Sequence, residues 1–354
     1  TVNQAIMKKF AAYSMDPKTG AILAQASAPT FDPNISSTIT LNKLRNPAVQ
    51  EVYEPGSTGK VITVAAALQE GLVTPQSVFT IPYKMKVADE YFHDHEKHPT
   101  QRLTTTGLLA VSSNTGSIQI GQKLGKDNLY NYLRKFGIGQ STNSKLPGES
   151  AGILHPVKQW SGTSLPTIAF GQGYSLTAMQ ATSVFATIAN DGVRVAPSIL
   201  AGVVDESGKY TPAKANESVR VLSSQTASDM RAMMESVVSS NGTAPTAAIS
   251  GYRIAGKTGT ANRFSTACKC YSGYTASFIG FAPADQPKYV ISVTIQDPKG
   301  MHWGGVLAGP VFKKVMSFVL QSERVQPTTA PVTTFKLTEA ALKDIKKSSK
   351  KAGA

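Results

Sequence analysis

Strand-like segments stand at both ends of this sequence with a long helical stretch between them, and that arrangement limits the possible folds more than any other feature. Near the start, residues 11–15 and 21–26 flank Asp16-Pro17-Lys18-Thr19-Gly20, whose Pro and Gly positions read as the turn of a hairpin. Val61, Val64, Ala65 and Leu68 are spaced for a helix over 57–68, and further helices are predicted over 104–124, 126–136, 175–190 and 223–239. From residue 252 the texture changes to short runs rich in β-branched and aromatic residues. These read as strands over 252–260, 274–282 and 289–296, with a closing helix over 308–320. Terminal strands that meet in one antiparallel sheet, flanked by helices and with a helical lobe inserted between them, make an α+β plan. A cleft between sheet and lobe is the expected place for a site.

Composition narrows the function classes. With 41% hydrophobic and 16% charged residues, the chain is neither disordered nor a coiled coil. A formal charge of +14 invites nucleic-acid binding, but the basic residues before the tail are scattered and lack aromatic interleaving. That pattern argues against a nucleic-acid partner and suits anionic surfaces such as phospholipid headgroups or cell-wall polymers. No apolar run approaches the ~18 residues of a membrane span. The opening Thr1-Val2-Asn3-Gln4 carries no leader, so an N-terminal targeting part is expected to be missing. Residues 325–334, with Pro327 and Pro331, read as a linker before a Lys-rich tail. The expected division is a catalytic domain over 1–324 and a tail over 325–354, and removing the tail is expected to leave the cleft unchanged.

Three short motifs carry the chemistry. Ser57-Thr58-Gly59-Lys60 sits at a helix start after Pro55-Gly56, and three residues along a helix put the Lys60 amine on the face of the Ser57 hydroxyl. A lysine kept neutral by burial and a second cation can act as the base for that hydroxyl; the plainer alternative is that Ser57 caps the helix. The same spacing recurs at Ser348 and Lys351 in the tail, so one motif alone decides little. Ser112-Ser113-Asn114 offers a hydroxyl to relay a proton and an amide to hold a substrate, whereas Ser239-Ser240-Asn241 before Gly242 reads as a helix end. Lys257-Thr258-Gly259-Thr260 ends a strand-like run, while Lys18-Thr19-Gly20 belongs to the hairpin turn. Gly259 lets a ligand or another backbone come close, and the Thr258 and Thr260 hydroxyls with the Lys257 ammonium suit a carboxylate.

In this order the three motifs match the signature of β-lactamases and penicillin-binding proteins. The surrounding text, including Tyr53-Glu54-Pro55-Gly56-Ser57, Leu146-Pro147-Gly148-Glu149-Ser150, Phe170-Gly171-Gln172-Gly173-Tyr174 and Ala255-Gly256-Lys257-Thr258-Gly259-Thr260, resembles class B penicillin-binding proteins of the division type over about 10–320. The resemblance implies the penicillin-binding transpeptidase fold and a peptidoglycan DD-transpeptidase that crosslinks stem peptides through a serine acyl-enzyme and is a target of β-lactams. It assigns Ser57 as nucleophile, Lys60 as base, Ser112 as proton relay and Lys257 as the residue that sets the field. Asn114, Thr258, Gly259 and Thr260 would bind substrate, and the Ser57 and Thr260 N–H groups would form the oxyanion hole. It implies no cofactor and no metal. The implied partners are a glycosyltransferase and division proteins, at the extracytoplasmic face of the bacterial cytoplasmic membrane, reached through an anchor this sequence lacks. The competing readings are a serine β-lactamase and a non-enzymatic β-lactam sensor.

Other features are set aside at this stage. His93, Asp94, His95, Glu96 and His98 are dense in metal-ligand types but read as a solvated loop near the cleft. A disulfide across one residue between Cys268 and Cys270 is the strained alternative to two free thiols. Gly171-Gln172-Gly173 reads as a turn beside the cleft rather than a dinucleotide loop. Glu149 is the candidate base for hydrolysing an acyl-enzyme, although it lacks a nearby Asn of the kind class A β-lactamases place with their glutamate.

Overall fold

The computed structural model describes residues 9–41, 43–265, 268–328 and 334–344. Along the chain, the elements that build the sheet and the cleft are strands β1 (Lys9–Met15) and β2 (Ile22–Ala28), helix α1 (Lys60–Gln69), strands β3 (Val78–Ile81) and β4 (Gln101–Thr104), helices α2 (Thr105–Ala110), α3 (Asn114–Leu124), α4 (Ala178–Ala189) and α5 (Ser224–Val238), strands β5 (Ala255–Ser265), β6 (Cys270–Ala282) and β7 (Tyr289–Gln296), and helix α6 (Gly304–Ser322). The terminal strands do meet: the five-stranded sheet has the order β5-β6-β7-β1-β2, and every neighbouring pair is antiparallel. The predicted α+β plan, with a helical lobe inserted between the sheet's two contributions, is therefore the observed one.

The sheet is covered on both faces, which is why β7 reads Tyr-Val-Ile-Ser-Val-Thr-Ile-Gln with almost no exposed position. Ile291, Val293 and Ile295 point to one face and pack with Phe312, Met316 and Leu320 of α6. Val290 points to the other, joining the larger core around α1 and α4, where Ser292 accepts a hydrogen bond from Thr182 at 2.8 Å. Helix α1 is buried along nearly its whole length, as expected for a helix apolar on all sides. No helix among the described residues is long and apolar enough to cross a membrane.

Three expectations are corrected. The single helix expected over 104–124 is broken into α2 and α3 at Ser112, which has a left-handed backbone with φ of 62°. The break follows from Ser113, whose hydroxyl caps α3 by accepting the Gly116 N–H at 2.9 Å and so competes with a continued helix. The strand expected over 252–260 begins at Ala255 and runs on to Ser265. Ahead of it, Arg253 is held by a two-pronged bond to Glu235 at 2.9 and 2.6 Å.

The third correction concerns the tail. The second Ser-x-x-Lys pair, Ser348 and Lys351, and Pro331 of the expected linker lie outside the described residues. Residues 334–344, however, pack on the body. The Thr104 N–H donates to Leu337 O at 3.0 Å, and the Thr104 hydroxyl, which caps α2, donates to Lys336 O at 2.6 Å. Gln76 brackets Lys336 with two further bonds, Arg102 meets Glu339 at 3.1 Å, and Phe335 packs against the larger core. Gly107 is required here, because a Cβ would come within 1.9 Å of Leu337 O. The tail thus braces β4 and α2, the segment that delivers Ser112 to the cleft. Deleting residues 335–354 removes several backbone bonds and the Phe335 contact, so it is expected to lower the melting temperature by about 5 °C or more. Calorimetry that found no change would show that the segment does not brace the body.

Candidate active site

Ser57 lies in a 3-10 turn, Gly56–Gly59, that runs directly into α1. Its hydroxyl makes no capping bond, so the plain structural role considered for it is not the one it plays. The turn packs on the edge strand β5, and the approach is close enough to dictate Gly259: a Cβ there would meet Ser277 Oγ at 2.4 Å and the Pro55 carbonyl at 3.0 Å. The backbone that comes close to Gly259 is therefore the protein's own turn around Ser57.

Beneath this junction Lys60 and Lys257 are both fully buried. Lys60 Nζ donates to Ser112 O at 2.5 Å and Asn114 Oδ1 at 2.7 Å, and it lies 3.2 Å from Ser112 Oγ. Lys257 Nζ is 2.9 Å from the same Ser112 Oγ and also reaches Thr258 O and Thr258 Oγ1. The Ser112 hydroxyl is thus shared by two lysines, and its left-handed backbone, which costs a non-glycine residue about 1–2 kcal/mol, is what turns it inward. Between Ser57 Oγ and Lys60 Nζ no direct hydrogen bond forms among the described residues; the Lys60 amine is engaged by Ser112 and Asn114 instead.

Burial pushes the Lys60 amine down to about 7, against an opposing pull from the Asp94 charge. Lys257 is lowered well below the ordinary lysine value, by burial and then by the Lys60 charge. Two ammonium groups facing one hydroxyl in a dry site repel strongly. If one of them is neutral, its lone pair also gives the Ser112 hydroxyl proton an acceptor.

Asp94 was missed as a site residue by the sequence reading, which placed it in a solvated loop. It is buried and accepts hydrogen bonds from the Asn114 and Thr115 N–H groups at 2.6 and 2.9 Å and from the Ser113 hydroxyl at 2.8 Å, while His98 Nε2 lies 3.1 Å away. A carboxylate at the N-terminus of α3 also complements the helix dipole. It fixes the turn that presents Ser112 and Asn114. Nothing in the local sequence marks this role, because the α3 groups that Asp94 holds lie about twenty residues on.

Two cavities meet at Ser57. One, of about 550 Å³, is lined by Ser112, Asn241, Thr243 and Thr258 among others. The other, of about 360 Å³, is walled by Tyr91, Phe92, Phe170, Tyr274 and His302 and reaches Asn114. Ser57, His95, Thr260 and Trp303 line both, and the His95 and Trp303 rings meet edge to face at 5.3 Å across the cleft. Thr243, from the turn read only as a helix end, bonds Thr258 Oγ1 at 2.8 Å, and Thr260 Oγ1 accepts the Gly304 N–H at 3.1 Å. Glu149 lines neither cavity; its carboxylate binds Thr142 N, Ser144 N and Ser144 Oγ and staples its own loop. Cys268 and Cys270 are joined in a disulfide at the tip of the β5–β6 hairpin.

A family model described as the penicillin binding protein transpeptidase domain matches residues 10–317. Penicillin-binding protein PbpB of Mycolicibacterium smegmatis is 40% identical over 344 residues, which are 94% of this chain and 53% of that protein. Peptidoglycan D,D-transpeptidase FtsI of Escherichia coli is 36% identical over 318 residues, 88% of this chain and 51% of that protein. The crystal structure of penicillin binding protein 3 from Mycobacterium tuberculosis complexed with ampicillin matches with a TM-score of 0.89 at 37% identity, covering 95% of this chain and 77% of that one. The chain spans about half the length of these two curated relatives.

The electrostatics generate a direct expectation. NMR of selectively labelled lysine should show Lys60 titrating with a midpoint of about 7. Because the Asp94 charge raises that value, Asp94→Asn should move the midpoint lower still. A Lys60 amine that stays charged into the ordinary lysine range would contradict this picture of the site.

Proposed function

Since this chain belongs to the class B penicillin-binding proteins by its transpeptidase domain, we propose that it is a serine acyltransferase that crosslinks peptidoglycan stem peptides, acting outside the cytoplasmic membrane in septal wall synthesis. The observation that carries this reading is the Ser112 hydroxyl held between two buried lysines, one of which, Lys60, follows Ser57 by three residues.

In this reading a neutral Lys60 takes the Ser57 proton as the hydroxyl attacks the penultimate D-Ala carbonyl of a donor stem. Before that step Lys60 must exchange its Ser112 contact for Ser57. The carbonyl oxygen becomes an oxyanion facing the Ser57 and Thr260 N–H groups. When the C–N bond breaks, Ser112 passes the proton to the departing D-Ala amine, with the Lys257 amine beside it. Thr258 and Thr260, which line the larger cavity beside Ser57, hold the terminal carboxylate. Asn114 opens on the aromatic side and holds the donor's acyl portion. An acceptor amine then attacks the ester and completes the crosslink. No step requires a cofactor or a metal. A glycosyltransferase and other division proteins are the partners this role calls for.

A β-lactam presents the same carbonyl and carboxylate, so it should acylate Ser57 and stay. Hydrolysis needs a base aimed at the ester, and Glu149, the carboxylate considered for that task, is committed to Thr142 and Ser144. After exposure to benzylpenicillin, intact-mass measurement should find one adduct. Ser57→Ala should form none, and the adduct should outlast removal of free drug with a loss rate far below the ~10 per second of a median enzyme. Regeneration within seconds would favour a β-lactamase instead, and labelling of Ser57→Ala would move the nucleophile elsewhere.

A further inference from the structure

The β5–β6 hairpin does not extend smoothly over the cleft. Its register shifts between Asn262 and Phe264, and a bulge of this kind lets the outer part twist away from the sheet that anchors the inner part. Beyond the bulge Phe264 pairs with Tyr271, their rings meet edge-on at 5.8 Å, and the Cys268–Cys270 disulfide closes the tip. This outer part is tied to the body where the Tyr271 hydroxyl donates to Glu54 Oε1 at 3.2 Å.

Glu54 stands three residues before Ser57. The same carboxylate oxygen accepts the Gly173 N–H at 2.9 Å, and within that turn Gly171 O accepts the Gly56 N–H at 2.8 Å. Among the described residues Glu54 Oε2 is buried without a partner, a costly placement for a carboxylate that serves only as a surface group. One side chain thus gathers the nucleophile turn, the 171–173 turn and the hairpin. Each of the three contributes to the aromatic cavity: Gly56 and Ser57 from the first, Gln172 from the second, Asn262 and Tyr274 from the third.

We propose that Glu54 is a positioning residue that fixes the spacing of these three segments and thereby the fit of the aromatic half of the cleft to the donor's acyl side chain. The inference deepens the acyl-transfer reading and rests on it. It implies that the Tyr271 hydroxyl affects ligands according to what they place in the aromatic half, and that it does so through Glu54.

The test compares second-order acylation rates for benzylpenicillin, which carries an acyl side chain, and 6-aminopenicillanic acid, which carries none. Tyr271→Phe removes one hydroxyl at an exposed position and should slow benzylpenicillin about fivefold while changing the smaller lactam far less. Glu54→Ala should cost at least as much, and adding Tyr271→Phe to it should cost nothing more, since the bond is already gone. Glu54→Gln, whose amide oxygen still accepts both donors, should stay close to the parent chain. Equal losses for both lactams, multiplying effects in the double variant, or a silent Tyr271→Phe would each overturn the proposal alone. A parent chain that forms no adduct with either lactam would overturn the acyl-transfer reading and this one with it.

Discussion

Two lysines buried around one serine hydroxyl set the conditions for everything else in this structure. Taking an ammonium out of water costs several kcal/mol even after relaxation, so Lys60 and Lys257 can be buried only where acceptors are already in place. Ser112 O, Ser112 Oγ and Asn114 Oδ1 meet one amine, and Ser112 Oγ with the Thr258 oxygens meets the other. One lysine belongs to the central helix of the inserted lobe and the other to the edge strand of the sheet. Seating both around Ser112 joins the two halves of the molecule, and the same desolvation makes an amine available as a base near neutral pH.

The scaffold around that contact holds a strained element in place. Ser112 has a backbone that its residue type disfavours, and such a conformation persists only when the surroundings over-determine it. On one side Asp94 pins the start of α3 with three hydrogen bonds. On the other, the tail segment braces β4 and the cap of α2. A loop that looked solvated and a tail that looked detached therefore converge on the same short turn.

How much of this the sequence disclosed depended on whether the signal was local. The β7 strand was placed at its observed bounds because β-branched residues buried on both faces leave a continuous apolar run. The hairpin at the start was legible from Pro17 and Gly20, and the three motifs were legible as a set, although their roles remain part of the proposal. The break at Ser112 was not, since Ser113 as a cap and Ser113 as a helix residue look alike until packing decides between them. Asp94, Thr243 and Glu54 act through partners distant in sequence, and no periodicity points to them. The tail misled because Pro and Thr richness describes 325–334, whereas Phe335 and Leu337 just beyond it dock on the body.

The account stands on a lysine that is neutral near physiological pH inside a dry site. Its most direct functional measurement is the pH dependence of the second-order rate at which benzylpenicillin forms a covalent adduct with the chain, proposed to be at Ser57. A rising limb with a midpoint of about 7, as Lys60 loses its proton, is the predicted result. A profile that is flat through this region, or that rises only in the ordinary lysine range, would contradict it.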